Sequence, residues 1–206
     1  AVLVAVAAAP AVGQDYQSSI GWSAGALLTT SLNDGAADAG AVVDLKPDLT
    51  WAVGAHWDRW VGNGQLGIRV QGVLARPKLP WTQGDRTIRV VMADVDLLLR
   101  PVAPTPGRSV LPFIGGGVGV IDWGLGDGPV TTFTPAGASY PGKQKPQLAA
   151  VAGAGIDVIT PWRWGEGPLV IRLAAHNYFQ LASPFDPAAA DHGDFGMIHN
   201  TVISLG

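Results

Sequence analysis

The residues from Leu49 to Ala75 leave the chain little choice of secondary structure. Leu49, Trp51, Val53, Ala55 and Trp57 alternate with Thr50, Ala52, Gly54, His56 and Asp58. After Val61-Gly62-Asn63-Gly64-Gln65 the alternation resumes, with Leu66, Ile68, Val70, Gly72 and Leu74 against Gly67, Arg69, Gln71, Val73 and Ala75. A period of two sends alternate side chains to opposite sides only when the backbone is extended. Asn63-Gly64 supplies the positive φ that a tight hairpin turn needs. The stretch predicts a β-hairpin with one apolar and one polar face, and the rest of the chain repeats that unit.

Eight strands follow from the pattern. They run from Ser18 to Leu28, through the two arms of the hairpin, then Thr87 to Arg100, Val110 to Trp123, Gln147 to Thr160, Pro168 to Gln180, and from near Gly196 to Gly206. The fifth is interrupted by Gly115, Gly116, Gly117 and Gly119. Connections after the odd-numbered strands are long or irregular (29–48, 76–86, 124–146, 181–195), and those between are shorter (61–65, 101–109, 161–167). Membrane barrels sort their connections in this way, with short turns on the periplasmic side and long loops outside.

Composition narrows the choice. One barrel domain fits 206 residues. Hydrophobic residues make up 48% and charged residues 14%, well below the roughly one quarter charged that is usual in soluble domains. Mean hydropathy is +0.25. Past the N-terminus, no run approaches the roughly 18 to 20 apolar residues of a spanning helix. What remains is a membrane β-barrel, or a soluble lipocalin-like barrel with its apolar faces turned inward. The four lysines (Lys46, Lys78, Lys143, Lys145) and the single glutamate, Glu166, lie in predicted loops or at strand edges. The polar faces carry Gly, Ala, Thr, His, Asp, Arg and Gln, which suit a narrow lumen better than a solvated surface. A net charge of −3 and a pI near 5.7 argue against nucleic acid. Without cysteine there is neither a disulfide framework nor a thiolate metal site. Residues 1–14, apolar and closing on small residues, are expected to be the remainder of a secretory signal, with the barrel domain over 15–206.

Tryptophan adds to the membrane reading. Trp22, Trp51, Trp57, Trp60, Trp81, Trp123, Trp162 and Trp164 mostly cluster near predicted strand ends or in adjoining turns, although Trp22 and Trp51 could also be read as mid-strand core residues. Indoles favour the headgroup level and form aromatic girdles there.

Two segments then carry a family resemblance. Asp94-Val95-Asp96-Leu97-Leu98-Leu99-Arg100-Pro101 and Leu111-Pro112-Phe113-Ile114-Gly115-Gly116-Gly117-Val118-Gly119-Val120 resemble the strand, proline-bearing turn and glycine-rich strand of small Gram-negative outer-membrane barrels. That group is the eight-stranded OmpA/OmpX-like one, and the resemblance covers most of residues 15–206. It implies an all-β, antiparallel, up-and-down barrel of eight strands in the outer membrane. It also implies as partners the lipid bilayer with lipopolysaccharide, the barrel assembly machinery, and an extracellular ligand at the long loops. No cofactor is implied. The end Ser204-Leu205-Gly206 departs from the family's usual terminal aromatic residue, so the last strand is expected to be truncated.

The inward set is Asp58, Arg69, Asp94, Asp96, Asp157, Arg172 and His176. Both signs occur at mid-strand, and isolated buried ions cost several kcal/mol each, so pairing into a lumen network is expected. Eight strands leave a lumen that side chains just fill, which disfavours a wide channel, although a small pore stays open as an alternative. Outer-membrane lipid A deacylases place His and Ser two apart on one strand with a distant carboxylate. Here His176 is followed at that spacing by Tyr178, a poor acyl acceptor, so no catalytic residue is expected. His56 with Asp58, and His192 with Asp191 and Asp194, are too loosely spaced for a metal site.

Overall fold

The computed structural model describes residues 18–30, 46–79, 86–105, 107–124, 146–164, 167–180 and 197–206, with the side chains of Arg86, Trp164 and Gly167 excepted. The expectations for residues 1–14, Trp81, the body of the 124–146 loop and the His192 trio lie outside them.

Among the described residues there is no helix. The strands are β1 (Ser18–Thr29), β2 (Thr50–Val61), β3 (Leu66–Ala75), β4 (Lys78–Leu79), β5 (Arg86–Thr87), β6 (Arg89–Leu99), β7 (Val110–Gly124), β8 (Gln147–Trp164), β9 (Gly167–Gln180) and β10 (Ile198–Leu205). Eight of them close into an antiparallel barrel in the order β1-β10-β9-β8-β7-β6-β3-β2. Every neighbour follows in sequence except the closing pair, where Ala24 lies opposite Leu205 and Thr29 opposite Asn200. The up-and-down barrel of eight strands expected from the sequence is the one that forms.

The hairpin at its centre pairs Ala52 with Ala75 and Val61 with Leu66. Gly62 and Gly64 take φ of 62° and 79°, the left-handed values that only glycine adopts without cost. The Gly64 amide closes the turn on the Val61 carbonyl at 3.1 Å. Two details depart from the sequence reading. Part of the 76–86 connection pairs as the small β4–β5 ribbon, continued by the Ile88 amide donating to the Pro77 carbonyl. β8 runs on past Thr160 to Trp164, with a shift of register between Ile159 and Arg163. Pro161 lies inside that shift, where a missing N–H is tolerated.

Sidedness is the decisive property. Each barrel strand turns large apolar side chains outward, among them Ile20, Trp51, Ile68, Leu97, Val118, Leu148, Leu173 and Ile203. Leu97 is 69% exposed and Leu148 78%. Water-soluble barrels do the reverse, so the lipocalin-like arrangement is not the one adopted.

Candidate functional site

The lumen is where the chain collects its chemistry. Period-two alternation puts Trp60, Asp58, His56 and Ala52 of β2 inside, together with Arg69, Gln71 and Val73 of β3 and Met92, Asp94, Asp96 and Leu98 of β6. Asp157 of β8 and Arg172, His176 and Tyr178 of β9 join them.

Near the turn end, five charged side chains form an alternating chain. Arg69 grips both oxygens of Asp58 (2.8 and 3.1 Å). Arg172 donates to the same Asp58 at 2.7 Å and to both oxygens of Asp157 at 2.6 and 2.9 Å. Arg100 completes the row by donating to Asp157 at 2.7 Å. Paired guanidinium and carboxylate forks of this kind make the strong, geometrically specific bonds that offset burial. Aromatic faces cover what the carboxylates do not: the guanidiniums of Arg69 and Arg172 lie 4.9 and 5.0 Å from the centre of the Phe113 ring, and that of Arg100 lies 3.6 Å from the Trp60 ring. Arg69 also donates to Nε2 of His176 at 3.0 Å.

Arg100 was absent from the inward set read off the sequence. It stands one residue past β6, beside Pro101, at the last position of the strand expected over Thr87 to Arg100. The phase of β6 was the available signal, since Asp94, Asp96 and Leu98 place residue 100 on the inner face.

Asp94 and Asp96 are buried but stand apart from the alternating row. The Tyr178 hydroxyl donates to Asp94, and Gln71 donates to the Tyr178 oxygen at 3.3 Å. Asp96 is the cross-strand partner of Arg69, yet the arginine turns its fork to Asp58, and no described side chain donates to Asp96. Pairing throughout the inward set, as expected from the cost of burial, is therefore incomplete. Glycine makes the room: a Cβ at Gly117 would lie 2.6 Å from an Asp96 oxygen, and one at Gly153 only 2.5 Å from the His176 ring.

Above this layer the lumen changes character. Leu27, Ala52, Val73, Val90, Met92, Ile121 and Val151 pack together in the half nearer the long loops. The polar network therefore fills only part of the lumen, and the inner phase of β6 itself changes from Asp96 and Asp94 to Met92 and Val90. Beyond that layer the Trp123 indole donates to Gln180 at 3.2 Å, and Gln180 donates to Gln147 at 2.8 Å.

The tryptophan girdle also needs correction. Trp22, Trp51, Trp57 and Trp162 face outward. Trp60 and Trp123 are 2% and 1% exposed and fill the lumen. Both sit on the inner phase of their strands, and nearness to a strand end does not override that phase.

No acyl-transfer pair is assembled. His176 accepts from Arg69 and Tyr178 donates to Asp94, and both are enclosed by the wall. Among the described residues no cluster of three or more potential ligands could hold a metal ion.

Neither a protein-family model nor a curated protein sequence matches the chain. Solved structures do. The outer membrane protein OprG from Pseudomonas aeruginosa superposes with a TM-score of 0.52 over 94% of this chain and 96% of its own, at 12% identity. Ail, the attachment invasion locus protein of Yersinia pestis, solved in complex with the heparin analogue sucrose octasulfate, covers 93% of this chain and 97% of its own at 13% identity and a TM-score of 0.43. At such identities the likeness is one of fold, and it is the match to OprG that supports it: the chain has the fold of an outer-membrane β-barrel.

Proposed function

We propose that the protein is an outer-membrane barrel that anchors its long loops at the cell surface and does not conduct. The observation that carries this reading is the opposition of its two faces. A belt of large apolar side chains surrounds all eight strands, while the interior is occupied from the Arg100 end to the Trp123 end. An apolar belt of this kind fits a hydrocarbon core and would be a severe aggregation liability in water. Side chains that occupy the interior argue against a wide aqueous path and support an interfacial or adhesive role for the loops. In this reading the partners are lipid with lipopolysaccharide around the belt, the assembly machinery during insertion, and an extracellular ligand at the loops.

The test is expression in a Gram-negative host, followed by membrane fractionation, electrophoresis with and without boiling, and single-channel recording in planar bilayers. Outer-membrane recovery, a heat-dependent mobility shift and silent bilayers are expected. Recovery as a soluble periplasmic protein would overturn the membrane assignment, and discrete conductance steps would overturn the closed lumen.

A further inference from the structure

The rim of the barrel at the long-loop end is basic on one side only. Lys46, Arg76, Lys78 and Arg89 are all exposed there, on the segments that enter β2, leave β3 and open β6. Asp48 and Asp122 are the described acids among them. Around the rest of that rim, from Gly124 through Gln147, Gln180 and Met197 to Thr30, the described residues include no lysine or arginine. Register brings two of the cations face to face. It runs unchanged from Ala75 opposite Val90 to Lys78 opposite Thr87, which sets Arg76 directly opposite Arg89. Like charges opposed across a ladder destabilise it. Among the described residues no carboxylate pairs with Arg76 or Lys78, and Asp122 reaches Arg89 only at 4.0 Å.

We propose that Arg76, Lys78 and Arg89 form a seat for the phosphate of a membrane lipid, whose chains lie down the wall beneath them. This seat presupposes the outer-membrane reading, because only a bilayer presents such headgroups at the rim. Three observations select the occupant. First, a phosphate between opposed guanidiniums replaces their repulsion with charge-assisted bonds, and its oxygens match the fork that arginine presents. Secondly, the outer row immediately below is apolar: Val53, Leu74 and Val91 lie side by side on β2, β3 and β6. One step on from the Ala52–Ala75 pair, the outward Trp51 stands beside Arg76, at the depth where indoles meet headgroups. A free phosphate or an acidic polysaccharide would make no use of that row. Thirdly, the backbone that carries the cations is already held. The Thr50 hydroxyl donates to the Arg76 carbonyl at 3.0 Å, the Asp48 amide to the Lys78 carbonyl at 2.9 Å, and the Ile88 amide to the Pro77 carbonyl at 3.0 Å. A site ordered in advance loses less entropy on binding.

The probe is phosphorylated lipid A, titrated into the refolded protein in a maltoside detergent, with the same lipid stripped of phosphate as the control. Native mass spectrometry counts the lipid retained on each barrel, and the heat-dependent mobility shift establishes that each variant is folded. The phosphorylated lipid is expected to bind one to a barrel, and the double change Arg76→Gln, Arg89→Gln to weaken it by about tenfold or more. Arg59→Gln, which removes an exposed cation at the turn end, should leave binding unchanged. Equal binding of the two lipids overturns the site, as does equal weakening by Arg59→Gln. Displacement of the lipid by inorganic phosphate at equal concentration overturns the lipid as occupant. The titration in detergent is indifferent to where the cell places the protein, so its failure is distinct from that of the membrane reading, which soluble periplasmic recovery would overturn.

Discussion

Neutralising Asp157 with the isosteric Asp157→Asn change strips the lumen of one of the two carboxylates that each face two guanidiniums. The row reads Arg69, Asp58, Arg172, Asp157, Arg100, three cations against two anions, all nearly or fully buried. Without the Asp157 charge the row keeps one anion for three cations, and Arg100 loses its bonded partner. Removing one member of a buried pair costs about 3 to 5 kcal/mol when a charge is left uncompensated. Arg172→Met deletes more bonds, three at 2.6 to 2.9 Å. It nevertheless leaves two intact neutral pairs, Arg69 with Asp58 and Arg100 with Asp157, and it removes a charge that no longer has to be desolvated. That loss should be about 1 to 2 kcal/mol. The two variants are compared by urea unfolding in lipid vesicles, followed by tryptophan emission. A gap of about 2 kcal/mol with a slope of about 2 kcal/mol per molar separates the midpoints by about 1 M. Finding Arg172→Met at or below the midpoint of Asp157→Asn would refute the argument that alternation of sign, and not the number of bonds, holds this layer.

Other consequences follow from the wall. Val118→Arg, on the outer face near the middle of β7, should destabilise the barrel in vesicles by about 2 to 4 kcal/mol, and Leu66→Arg at the turn end by about 0 to 1; equal costs would count against a bilayer around the belt. Gly153→Ala drives a methyl into the His176 ring and should cost about 1 to 3 kcal/mol, whereas Gly72→Ala, with nothing within 4 Å of the new Cβ, should stay within about 0.5. The same unfolding assay separates them. In single-tryptophan variants, brominated lipid should quench Trp51 strongly and Trp60 hardly at all, because only the first faces outward; strong quenching of Trp60 would contradict its place in the lumen.

Much of this architecture was legible from alternation alone. The phases of β2, β3 and β6 located the inner residues because a one-residue slip would have reversed every side chain. What escaped notice did so for identifiable reasons. Arg100 was the last residue of the strand expected over Thr87 to Arg100, and its inward phase was passed over beside Pro101. Trp60 and Trp123 were grouped by nearness to strand ends, a criterion about depth that says nothing of side. The apolar upper lumen was obscured because Val90 and Met92 share their inner phase with two aspartates, and the charged residues drew the inference. No local signal told which of Asp58 and Asp96 would win Arg69, since the two are its partners on opposite neighbouring strands, and only closure of the ring decides.

The charged row has a bearing on how such a chain enters a membrane. Arg69 and Asp58 lie 11 residues apart on one hairpin, and Arg172 and Asp157 lie 15 apart on another. Contacts this local form early, before distant strands meet. In the proposed outer-membrane setting each hairpin would carry its arginine together with its own counter-ion, which would avoid the cost of a naked charge in lipid. The bonds from Arg172 to Asp58 and from Arg69 to His176 span 114 and 107 residues and become available only once the wall has closed. On the proposed membrane reading, the long-range pairs would act as a latch that engages after insertion, and the short-range pairs as its passport.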